Sequence, residues 1–139
     1  MSMKFVLDCS ATLPWLFASE ATPATNRLLD QLSRGAKAWV PTLWHLEVGN
    51  VLLGAQRRGR MDKAGIEKFF ASLAVYDIEV DSETAALAWS KTFALGEAFG
   101  LTMYDAAYLE LALRRGVPLA SLDGTLVAAM KKAGGQVLL

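Results

Sequence analysis

One cysteine, Cys9, and one histidine, His45, stand in a chain of 139 residues. A single cysteine excludes an intramolecular disulfide framework and a multi-cysteine zinc site, and it suits a reducing compartment. Charge of one sign is also missing. Fourteen Lys and Arg balance fourteen Asp and Glu, so no overall field draws the chain to nucleic acid or membrane, and such binding needs a local patch. No run approaches the roughly 18–20 apolar residues of a membrane span. The start, Met1-Ser2-Met3-Lys4-Phe5-Val6-Leu7, reaches Asp8 before a signal-like apolar stretch builds up. Low-complexity segments, fixed-period repeats and dividing linkers are absent too. What remains is 53% hydrophobic and 20% charged, too apolar for a disordered chain and long enough to bury a core. The expectation is one soluble, cytoplasmic domain over 1–139.

Punctuation along the chain predicts short strands alternating with helices. Strands are expected at 4–7, 38–40, 76–80, 119–120 and 136–138. Helices are expected at 10–17, 23–34, 43–58, 63–73, 83–99, 102–115 and 122–133. Gly35, Gly59, Gly100 and Gly116 close four of them, and Asp62 and Thr102 cap two. This alternation predicts an α/β fold with a short, mostly parallel central sheet of about five strands flanked by helices. Ligands of such sheets bind beyond the carboxyl ends of the strands. Asp8 ends the first strand and Asp123 follows the fourth, so both are candidates by position.

Two more carboxylates stand on the wrong side of their helices. On a wheel of about 100° per residue, Glu47 lies roughly 160° from His45 and shares a side with Leu43, Leu46 and Val51. Asn50 and Gly54 continue that stripe. In the helix from Thr102, Glu110 and Arg114 mark an outer face, and Asp105 lies about 140° from Glu110, near Leu109 and Ala112. Each acid alone has an ordinary explanation. Asp105 fits a capping box with Thr102, Asp8 a strand-end turn, and Asp123, before Gly124, a turn or N-cap. Glu47 has the weakest such explanation, because an acid on an apolar face costs free energy unless paired or bound to a cation. If one crevice gathers all four, they raise each other's pKa unless a cation offsets them. Oxygen ligands without His or Cys select Mg²⁺ or Mn²⁺ over Zn²⁺. Such a cluster implies metal-assisted hydrolysis of a phosphodiester.

Four segments carry a resemblance. Asp8-Cys9-Ser10-Ala11, Leu46-Glu47-Val48-Gly49-Asn50, the stretch from Leu101-Thr102-Met103-Tyr104-Asp105 to Ala112, and Leu119-Ala120-Ser121-Leu122-Asp123 resemble the motifs of PIN-domain ribonucleases, and most closely those of VapC toxins. Their order and spacing agree from residue 8 to 123, and the third is the most specific. Ser121 stands where the family often has Thr, which keeps the hydroxyl. The resemblance implies a PIN-like single domain and a metal-dependent endoribonuclease. It makes Asp8, Glu47, Asp105 and Asp123 the residues that bind metal and position the attacking water. Ser10, Asn50 and Ser121 become supporting hydrogen-bonding groups. It also implies an RNA substrate, a cognate VapB-like antitoxin and a homodimer.

The other conspicuous residues have plainer expectations. Cys9 is a small buried residue beside the crevice, and His45 a surface residue. Trp15, Trp39, Trp44 and Trp89 belong to core or interface, and Lys131 and Lys132 to a helix end. Arg57, Arg58 and Arg60, with Lys63, form the densest basic cluster. It is either a solvated helix end or a phosphate-binding rail for RNA. A phospho-aspartyl phosphatase would want Asp at position 10, where Ser10 stands. A receiver-like domain would want a second acid near the first strand and a late Lys. A PIN-like RNA-binding module without cleavage remains the alternative, and a nuclease assay with and without Mn²⁺ separates it.

Overall fold

Five parallel strands form one sheet in the order β3-β2-β1-β4-β5 in the computed structural model, which describes residues 3–139. Met1 and Ser2, which open the expected domain, lie outside the described residues. The central strand β1 (Lys4–Leu7) buries Phe5, Val6 and Leu7 completely, as a short apolar run covered on both faces must. On one side lies β2 (Lys37–Val40) and then β3 (Asp77–Val80). On the other lie the two-residue strands β4 (Leu119–Ala120) and β5 (Val137–Leu138). Edge strand β3 carries Asp77 and Glu79, both within reach of Lys37 on β2, and a charged edge resists pairing with another chain. The chain builds outward from β1 to β3, then returns to the far side of β1 with β4. The order therefore reverses between β1 and β4, where an open parallel sheet forms its crevice.

The first expected helix is shorter than its spacing suggests. It divides into α1 (Cys9–Thr12) and a 3₁₀ turn, Leu13–Trp15, because Pro14 has no N–H to continue the α-helical ladder. Next come α2 (Pro23–Ser33), α3 (Trp44–Arg57) and α4 (Lys63–Leu73). The expected continuous helix over 83–99 is interrupted. It runs as α5 (Thr84–Leu87), a π-helical turn at Ala88–Thr92 and α6 (Phe93–Phe99). The π turn leaves Trp89 93% exposed, and the Thr92 hydroxyl is buried without a hydrogen-bond partner among the described residues. The other three tryptophans pack against or within the core. Two helices remain, α7 (Met103–Arg115) and α8 (Gly124–Lys132). Gly100 and Gly116, the residues following α6 and α7, both have a left-handed backbone (φ 65° and 63°), where a side chain is strained.

Two helix faces differ from the wheel. The buried stripe of α3 is Trp44, Val48, Leu52 and Ala55, while Leu46 is 78% exposed. Glu47 flanks this stripe, half-buried, and does not share a face with Leu46. In α7 every residue from Ala106 to Ala112 is buried, Glu110 included. Glu110 does not mark an outer face, because Arg114 pairs it at 2.7 Å and a paired acid tolerates burial. No helix of the described residues is long and apolar enough to cross a membrane.

Candidate functional site

Asp8 follows β1 directly and is 5% exposed. Its Oδ2 accepts hydrogen bonds from the hydroxyls of Ser10 at 2.7 Å and Ser121 at 2.8 Å. These two serines come from opposite sides of the β1–β4 switch. Ser10 also accepts from the Leu122 N–H, and Ser121 from the Asp123 N–H, so the hydroxyls tie the two strand ends together. Asp123 is the N-cap of α8. Its Oδ1 accepts from the N–H groups of Thr125 and Leu126 at 2.9 and 3.1 Å, which satisfies two donors left open by the helix start.

Asp105 lies in the first turn of α7. Thr102 caps that helix by accepting from the Asp105 N–H at 3.1 Å. The carboxyl of Asp105 makes no hydrogen bond back to Thr102 among the described residues, so only half of the expected capping box forms. Glu47, on the flank of α3, accepts a hydrogen bond from the hydroxyl of Tyr108. Asn50 is exposed and makes no hydrogen bond to these acids among the described residues.

Electrostatics joins the four acids. Burial raises the pKa of Asp8 against the hydrogen bonds of Ser10 and Ser121, and the charge of Asp123 adds to the rise. Burial also lifts Glu47 against the Tyr108 hydrogen bond, helped by the charges of Asp8 and Asp105. Asp105 is pushed up to about 6, first by burial and then by the charges of Asp123 and Asp8. Cys9 is pushed up to about 12 by burial and by Glu47 and Asp8, which makes it a poor nucleophile. Among the described residues none of the four acids forms an ion pair. As placed, no three His, Cys, Asp or Glu side chains among them are close enough to hold a metal ion. The donors are all carboxylate oxygen, the chemistry that suits Mg²⁺ or Mn²⁺.

The basic cluster lies elsewhere. Arg57 and Arg58 are exposed at the far end of α3, about 15 Å along its axis from Glu47 at 1.5 Å per residue. Arg60 pairs with Glu20 at 3.1 Å and stacks on the Phe17 ring, 4.0 Å from its centroid. His45 is exposed.

No protein-family model matches the chain, and no curated protein matches it in sequence. Solved structures do match. PAE2754 from Pyrobaculum aerophilum superposes with a TM-score of 0.72 at 22% identity, covering 99% of this chain and 90% of that one. A toxin-antitoxin complex from Klebsiella pneumoniae gives 0.62 at 14% identity, over 96% and 95%. VapC20 of Mycobacterium tuberculosis, a Sarcin-Ricin loop cleaving toxin, gives 0.59 at 17%, over 90% and 94%. The fold is PIN-like. At these identities the likeness is one of architecture, and it spans 90% of the chain or more.

Sequence reasoning missed two features of this PIN-like domain. Tyr108 supplies the hydrogen bond to Glu47, and its spacing three residues after Asp105 was the available signal. Asp81 is the other. It follows β3 as Asp8 follows β1, and it is fully buried. Arg114 and Arg115 both bond to it, at 2.7 and 2.8 Å.

Proposed function

We propose that this chain is a metal-dependent endoribonuclease that hydrolyses RNA phosphodiester bonds, the toxin of a VapC-type toxin–antitoxin pair. One observation carries this reading. Four carboxylates from separate elements act on one another at the carboxyl ends of β1 and β4, and the described residues supply no cation to offset them. Their all-oxygen chemistry and net negative charge suit Mg²⁺ or Mn²⁺, which when bound supplies a Lewis acid and an activated water. Asp8, fixed by two serine hydroxyls, has one rigid orientation. Asp123 is held by the α8 cap, Asp105 by the start of α7, and Glu47 by Tyr108. Together they would hold the ion and orient water toward a phosphodiester. Arg57 and Arg58 are proposed phosphate contacts, since an acidic crevice in a neutral chain does not attract RNA unaided.

A protein partner belongs to the same reading. Trp89, Leu46 and Val75, on three separate segments, are 93%, 78% and 77% exposed and are the apolar side chains that a partner would cover. A second copy and an antitoxin are the proposed cover. Two of the structural neighbours are named as a toxin-antitoxin complex and a cleaving toxin. The deciding test incubates purified protein with RNA, with Mn²⁺ or Mg²⁺ and with chelator. Cleavage is expected only with the divalent cation. Asp8→Asn should lower it about 10²-fold or more, a loss of roughly 3 kcal/mol of transition-state stabilisation. RNA binding without cleavage under either metal would favour a binding module. Equal rates for Asp8→Asn and the parent would reject the site.

A further inference from the structure

Tyr108 heads the fully buried side chains by volume, yet its polar end meets a charged group. From α7 its hydroxyl donates a 2.5 Å hydrogen bond to Oε1 of Glu47 on α3, across 61 residues of sequence. That length belongs to a charge-assisted O–H···O⁻ bond. The Glu47 carboxylate has no other hydrogen bond among the described residues, and its neighbours Leu46 and Asn50 are exposed. A glutamate on a helix flank carries several rotatable bonds and loses substantial freedom when it is ordered. One donor rooted in the core removes that freedom at Oε1 and leaves Oε2 for a ligand. Packing alone does not require the hydroxyl, since phenylalanine fills nearly the same volume. A buried tyrosine hydroxyl needs a partner, and here that partner is one of the four crevice acids.

We propose that Tyr108 is a positioning residue for the acidic crevice, holding Glu47 by Oε1 so that Oε2 is presented to a divalent cation. The assignment rests on the metal-site reading above. Tyr108 also fixes the spacing of the crevice. It lies one turn beyond Asp105 on α7 and grips α3, so two of the four acids share one buried tie.

Mn²⁺ titration of the RNA-free protein, followed by electron paramagnetic resonance, tests this without an activity readout. Tyr108→Phe should keep the parent's circular dichroism and bind Mn²⁺ about 10- to 100-fold more weakly, the usual effect of losing a partner behind a metal ligand. Glu47→Ala should weaken binding as well, and adding Tyr108→Phe to it should cost nothing further, because the hydroxyl acts through Glu47. Parent-like Mn²⁺ affinity in Tyr108→Phe overturns the assignment, and so does an independent loss in the double variant. If the parent binds Mn²⁺ and Asp8→Asn does not, the metal site stands whatever Tyr108 does. If the parent itself fails to bind, the metal-site reading falls and Tyr108 with it. Should Tyr108→Phe not fold, the parent labelled with 3-fluorotyrosine gives the answer. Saturating Mg²⁺ should shift the ¹⁹F resonance of the buried tyrosine, and an unmoved resonance overturns the proposal.

Discussion

Asp8 and Asp81 occupy matching places in the sheet and have opposite surroundings. Each is the first residue after a parallel strand, and each is buried. Around Asp81 two guanidinium groups close in, and Arg114 also reaches Glu110 and Glu83. Burial alone would raise the Asp81 carboxyl, but the hydrogen bonds from Arg114 and Arg115 outweigh it and bring it down to about 2. Around Asp8 stand two serine hydroxyls and more acids, and its pKa rises. Both ends of α7 take part, Asp105 and Tyr108 at one end, Glu110, Arg114 and Arg115 at the other. The difference separates a structural acid from a candidate functional one. A buried carboxylate with its cation in the same chain fastens elements together, while several without one leave a charge for something else to neutralise.

The largest effect should come from removing the satisfied acid. Asp81→Ala leaves two arginines facing a buried void, with Arg114 still bonded to Glu110 and Glu83. Taking one partner from a buried ion pair costs about 3–5 kcal/mol, so urea unfolding should show a loss in that range. A loss below about 1 kcal/mol would mean that the arginines relax freely into water, and the contrast with Asp8 would fail.

A smaller effect separates the two regions by pH. The folded pKa of Asp81 is depressed, so its stabilisation is fully present above the ordinary carboxylate value near 3.8 and is lost as pH falls through about 2. It is worth about 2 kcal/mol. Asp105 has the reverse sign. Its folded pKa is raised to about 6, so ionisation in the fold is unfavourable and stability falls as pH rises from about 3.8 through about 6. Melting temperatures of metal-free protein from pH 2 to 8 should fall on both sides of pH 4. Asp81→Asn should flatten the acidic limb alone, and Asp105→Asn should flatten part of the other. If both variants track the parent across both limbs, neither acid is shifted by its surroundings as described.

Much of this was legible in the residues, and the gaps have physical causes. Asp8 and Asp123 could be placed because strand ends and caps are local features, and the sheet follows from short apolar runs separated by glycine, proline and capping residues. Ser10 beside Asp8 was visible for the same reason, whereas its contact with Ser121 depends on β4 pairing with β1. Helix faces were less legible. The wheel placed Leu46 inside and Glu110 outside, because periodicity assumes that one side of a helix meets solvent, and α7 is enclosed on all sides from Ala106 to Ala112. The Asp81 cluster was invisible, since Arg114 and Arg115 find it across more than thirty positions of chain. The π turn at Ala88–Thr92 left no local signal, whereas Pro14 marked the break after α1.

The smallest expected effect tests the uncompensated side of the comparison directly. Asp105→Asn keeps the volume of the side chain and removes one of the mutually repelling charges. At pH 7 without divalent cation it should stabilise the protein by about 1 kcal/mol, after allowing for solvent screening at a half-exposed carboxyl. That sign is unusual for a substitution at a candidate active site, and it follows from the raised pKa of Asp105. A cation should do for the parent what the amide does for the variant. Mg²⁺ at ten times its dissociation constant stabilises the state that binds it by about 1.4 kcal/mol. Adding Mg²⁺ to the parent should therefore raise its melting temperature, and chelator should reverse the rise. Asp105→Asn should begin higher and respond less. The same metal should leave the stability difference between Asp81→Ala and the parent unchanged, because the Asp81 cluster already has its cations. Destabilisation by Asp105→Asn, or an equal Mg²⁺ response in variant and parent, would show that burial and the neighbouring acids do not hold the pKa of Asp105 up.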